Sequence, residues 1–148
     1  MPGNLITKNV RAYKILFELE RLLRRFITEV LHKHYEDGWL KGVPKDILKK
    51  CEERASRERK TYQEVYTNDS NLVIDYADFR DLNKIIIKNW SIFEPCFIRK
   101  DLIENKLEEL EMPRNIIAHN RIISNTEMNR ISVYANDLKS CMRRRPSS

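Results

Sequence analysis

An all-α fold, a compact bundle of about five helices, is what this sequence predicts, on three observations. Apolar residues recur at the three- and four-residue spacing of a helix along most of the chain. Only three Gly and five Pro interrupt the 148 residues. Charged residues make up 34% of the total, which suits helices with solvated outer faces around one core. At this length the chain fits one domain, with residues 1–8 as a loose leader and 143–148 as a loose basic tail.

The first helix is expected from about Asn9, with Tyr13, Leu16, Phe17, Leu23, Ile27, Val30, Leu31 and His34 on its apolar face. It should end near Asp37-Gly38, where Gly supplies a left-handed stop. After the connector 39–44, Pro44 opens a second helix over roughly 45–65. Its apolar stripe is thin (Ile47, Leu48, Cys51, Ala55, Tyr62), and its other faces mix bases with acids, the pattern of a solvated helix. Residues 67–71 read as a loop, and 72–76 as either a short strand or one helical turn. Asp78 or Asp81 then starts a helix through Ile85, Ile86, Ile87 and Trp90, broken by 91–97. A fourth helix from about Arg99 buries Ile103, Leu107 and Leu110. Thr126 caps the last, whose stripe is Ile131, Tyr134, Ala135, Leu138 and Met142.

The formal net charge of +6 favours polyanionic partners without establishing them. No apolar run approaches the roughly 20 residues of a membrane span, and no secretory signal pattern opens the chain, so a cytoplasmic protein is expected. Cys51, Cys96 and Cys141 are odd in number and lack metal-type spacing, so they read as reduced thiols. His32 and His34 are two apart and point away from each other on a helix. No metal or other cofactor is expected, and no Gly-rich phosphate loop or hydrolase nucleophile motif is present.

The stretch that carries chemistry is Glu111-Met112-Pro113-Arg114-Asn115-Ile116-Ile117-Ala118-His119-Asn120-Arg121. On a helix Asn115 and His119 share a face, about 40° apart. Arg114 and His119 lie about 140° apart, so they converge only through a bend, for which Pro113 is the candidate, or through a long Arg reach. A guanidinium fork grips phosphate and an imidazole moves protons near neutral pH. On residues alone, a structural pairing of Arg114 or His119 with acids such as Glu108 or Glu109 stands ahead of catalysis.

Arg114, Asn115 and His119 late in a helical chain resemble the Arg-x4–6-His signature of the HEPN superfamily, with its polar residue after the Arg. The runs 75–90 and Leu107-Glu108-Glu109-Leu110 are similar to the branch found with RNA-surveillance endonucleases and bacterial defence proteins. The resemblance implies a metal-independent endoribonuclease acting in stress response or defence, with Arg114, Asn115 and His119 as its catalytic residues. It implies RNA as substrate, a homodimer that shares one cleft, and an antitoxin or sensor protein as a further partner class. The alternative it leaves is a non-catalytic module that binds RNA or protein. Asn120 and Arg121 stand where a Tyr marks the branch modified by a nucleotidyltransferase, so that mode is not implied.

Overall fold

The longest helix, α1 (Pro2–Tyr35), is the wall against which α3, α5 and α6 pack. The computed structural model describes residues 2–61 and 73–144, with side chains for 6–60 and 74–144. Six α-helices and two short 3-10 segments, with no strand among the described residues, confirm the all-α expectation. Helix α1 starts at Pro2 rather than Asn9 and so takes in most of the supposed leader; Pro suits a first turn because its missing N–H has no helical partner there.

The buried face of α1 is Ala12, Leu16, Leu19, Leu23, Phe26, Ile27, Val30 and Leu31. Tyr13 and Phe17, expected on that face, are exposed instead, and so is His34. Nor is Gly38 the left-handed stop: Glu36 takes φ 56°, while Gly38 stays at φ −94°. The glycine that matters is Gly42, where a Cβ would sit 2.9 Å from side-chain atoms of both Leu31 and Tyr35. Its absence lets the 3-10 segment Glu36–Gly42 fold back on the end of α1. There Asn89 Nδ2 donates to the Gly42 carbonyl (2.7 Å) and Tyr35 Oη donates to Asn89 Oδ1 (2.8 Å).

Helix α2 (Lys45–Thr61) buries Ile47, Cys51 and Ala55 against the 3-10 turn Val73–Tyr76, which resolves the strand-or-turn ambiguity. Tyr62 and the loop 67–71 lie outside the described residues. Asp78 and Asp81 both start α3 (Phe79–Lys88), through a reciprocal capping box. Ile85 and Ile86 are fully buried, whereas Ile87 and Trp90 are half-buried. The supposed break is a helix, α4 (Trp90–Phe97), with Pro95 inside it. Pro95 removes only the amide that the Ser91 carbonyl would take, and Ser91 is exposed to water. Ile98, at φ 68°, ends α4.

Helices α5 (Lys100–Ala118) and α6 (Asn125–Arg143) close the bundle on α1 and α3. Ile103, Leu107 and Leu110 are buried as expected. Ser124, not Thr126, caps α6, its hydroxyl accepting from the Glu127 amide at 3.0 Å. Ile131, Ala135, Leu138 and Met142 are buried and Tyr134 is half-buried. Cys51, Cys96 and Cys141 form no disulfide among the described residues, and burial pushes Cys51 up to about 11, so it stays protonated at neutral pH. No described helix is long and apolar enough to cross a membrane.

Candidate functional site

Helix α5 runs through Pro113 without interruption to Ala118. The missing proline amide orphans only the carbonyl of Glu109, which is exposed to water. Leu110, Glu111 and Pro113 are buried, so the last two turns are fixed against the bundle. The helix then ends in a Schellman motif: Arg121 N donates to the Ile116 carbonyl (2.9 Å) and Asn120 N to the Ile117 carbonyl (3.0 Å), with Asn120 at φ 60°. His119 is the C-cap residue. Asn9 on α1 ties this turn down, its Nδ2 donating to the Arg121 carbonyl (2.8 Å) and its Oδ1 accepting from the Ile123 amide (3.1 Å).

The three candidate residues share this helix end and differ in surroundings. Arg114 is half-buried and bound to Glu20 of α1, with Nε 2.9 Å from Oε2 and Nη2 3.4 Å from Oε1. Asn115 and His119 are exposed. The His119 amide donates to the Asn115 carbonyl (3.0 Å), but no side-chain hydrogen bond joins Arg114, Asn115 and His119 among the described residues. Arg114 is thus tied to α1 through Glu20, while His119 stands at the C-terminal end of the same helix.

Nor does either residue serve Glu108 or Glu109, which are exposed. Glu109 accepts from the Tyr134 hydroxyl and faces Arg130 (3.7 Å). The acid that Arg114 does meet is Glu20, and sequence reasoning missed it. A signal existed: Glu20 lies four residues after Leu16 and seven before Ile27, on the buried stripe of α1. A charged residue there needs a partner. It has two, because Arg24 Nη2 also donates to Glu20 Oε1, while Arg24 Nε and Nη2 hold the Ala77 carbonyl at 3.1 and 2.8 Å.

One turn before Arg114, the buried Glu111 accepts from the Arg80 amide (3.3 Å). Burial, with the negative charge of Asp78, raises its carboxyl above the usual range despite Arg114 and Arg80. The family model for Swt1-like HEPN matches residues 14–142.

The chain belongs to this family. No curated protein and no solved structure matches it. The family match spans Glu20, Arg24 and all three candidate residues of this HEPN chain, and it stops before the basic tail. No cluster of metal-ligating side chains occurs among the described residues.

Proposed function

We propose that this HEPN chain is a metal-independent endoribonuclease that cleaves single-stranded RNA in a cleft shared by two copies. The observation that carries the reading is the open edge of Arg114. Glu20 holds the Nε/Nη2 edge, and no hydrogen bond among the described residues uses Nη1. A guanidinium bound on one side and open on the other is ready to clamp a phosphate. His119, exposed at the end of the same helix, supplies the proton chemistry.

In this reaction the RNA 2′-hydroxyl attacks the adjacent phosphorus, the bond to the 5′-oxygen breaks, and a cyclic phosphate and a 5′-hydroxyl remain. A base must take the proton of the attacking hydroxyl, and an acid on the opposite side must protonate the leaving oxygen. Negative charge building on the non-bridging oxygens calls for a fixed cation, which is the role of Arg114. One imidazole cannot stand on both sides of the phosphorus. Two copies of His119 related by a two-fold axis can, with Asn115 orienting His119 or binding phosphate or ribose.

For the second copy we propose an exposed apolar row on α1 as the surface it covers. Ile6, Val10, Tyr13 and Phe17 are 61, 61, 57 and 48% exposed and recur at four-, three- and four-residue steps along α1. This row sits about 50° round the helix from Glu20. Tyr13 and Phe17 stack at 5.9 Å. Such an apolar row is the kind of surface an isologous dimer buries.

The second reading, a non-catalytic RNA- or protein-binding module, draws on the lack of a side-chain hydrogen bond between Arg114 and His119 among the described residues. Incubating a single-stranded RNA panel in EDTA with wild type and with His119→Ala separates the two. Cleavage by wild type alone, leaving cyclic-phosphate ends, supports the enzyme. RNA retention without cleavage by either supports the binding module, and equal cleavage by both removes His119 from the mechanism.

A further inference from the structure

We propose that Glu20 is the positioning residue of this site: it fixes Arg114 by its Nε/Nη2 edge and so aims the Nη1 edge at the phosphate to be cleaved. The inference rests on the ribonuclease reading above, and it names a residue outside the Arg-Asn-His motif, 94 positions earlier in the chain.

Three observations carry it. First, the carboxylate is itself immobilised. Glu20 is only 7% exposed, and its Oε1 is gripped by Arg24, whose guanidinium is pinned to the Ala77 carbonyl at the entrance to α3. A carboxylate fixed from one side cannot follow Arg114 when that side chain moves, so it acts as an anchor. Second, the edge it takes is the one that leaves a phosphate-binding face free: Nη1, with both its hydrogens, has no partner among the described residues. Third, the charges favour a clamp over a brake. Arg24 and Arg114 share the one carboxylate of Glu20, so Glu20 does not fully neutralise Arg114 and a phosphate need not displace it. An arginine with four flexible bonds loses reach and direction without such a tether, and a misplacement of about 1 Å can cost about a hundredfold in rate.

Glu20→Gln tests the assignment, because it keeps the shape and one acceptor while removing the charge that both arginines share. In single-turnover cleavage at saturating enzyme, the variant is expected to lose about tenfold to a hundredfold in rate. Its retention of an uncleavable 2′-deoxy-substituted RNA should stay within about twofold of wild type, as befits an interaction that matters in the transition state. Glu20→Asp, which restores the charge one methylene short, should fall between the two. An unchanged or faster rate in Glu20→Gln would overturn the proposal, making Glu20 a packing residue or a brake.

A second arm uses folded wild type and needs no cleavage. Arginine side-chain NMR signals are followed while the same uncleavable RNA is added. The Nη signals of Arg114 should move and its Nε signal should hold. Movement of Nε, signalling that RNA displaces Glu20, overturns the assignment. Where wild type cuts no RNA at all, the ribonuclease reading fails, and this arm alone decides whether Glu20 holds Arg114 during RNA binding.

Discussion

Two arginine–carboxylate clusters stand in this molecule, and they differ in what they leave over. At the α2–α3 junction, Arg54 Nη1 donates to Asp81 Oδ2 (2.9 Å) and to the Tyr76 carbonyl (2.6 Å), while its Nη2 faces Asp78 (3.9 Å). Asp81 is 2% exposed, accepts from the Asp78 amide, and has Lys50 at 3.9 Å. Only the carboxylate is deeply buried there; the cations that serve it, Arg54 and Lys50, reach it from the surface. At the α1–α5 junction two guanidiniums share the single carboxylate of Glu20, and Arg114 keeps an edge open. The first cluster ties α2 to α3; the second ties α1 to α5 and leaves Nη1 of Arg114 without a partner among the described residues.

The largest effect on stability is expected where the carboxylate is most deeply buried, at Asp81. Asp81→Ala should cost about 3 kcal/mol in denaturant unfolding, because it removes the buried carboxylate that accepts from both Arg54 and the Asp78 amide and so breaks the α3 capping box. Cleavage per folded molecule should be unchanged. Burial alone would raise the Asp81 carboxyl, but the Arg54 hydrogen bond and the Asp78 amide outweigh it and hold it below its ordinary 3.8. A lowered folded-state value means that the stabilisation is full above pH 3.8 and is lost as pH falls through the folded value. The gap between wild type and Asp81→Ala should therefore close in acid.

A smaller loss, about 1–2 kcal/mol, is expected for Glu20→Gln, since one hydrogen-bond acceptor survives and Arg114 can turn to solvent. If that variant instead lost as much stability as Asp81→Ala while keeping its cleavage rate, the distinction between the two clusters would collapse. Smallest, and of opposite sign, is Glu111→Gln. Burial raises the Glu111 carboxyl, so the native state gains protons first and its stability falls as pH rises through that raised value. Removing the charge should raise the melting temperature slightly at pH 7, and the difference should vanish below the ordinary value of 4.5.

Much of this was legible in the sequence. Helical spacing and the scarcity of Gly and Pro gave the helices, and Arg114-Asn115-His119 stood out as residue types suited to phosphate chemistry. Glu20 did not, because its partner lies 94 residues away and only its place on a buried stripe marks it. Tyr13 and Phe17 were misplaced for a related reason. Periodicity registers apolar residues at helical steps, but α1 carries two such rows, one in the core and one facing out. The reading of 91–97 failed on Pro95, whose cost is small where the orphaned carbonyl meets water. Ser124 and Thr126 are both N-cap residue types, and the Glu127 amide decides for Ser124.

The claim that two copies of His119 act on one phosphate is tested most directly by subunit mixing. Wild type is unfolded and refolded with about a ninefold excess of His119→Ala, and RNA cleavage is measured per wild-type chain. If the site needs both imidazoles, only wild-type pairs cleave, and activity should fall to about a tenth of that of wild type refolded alone. Activity undiminished by the excess would contradict the shared cleft, leaving each chain to act with its own His119.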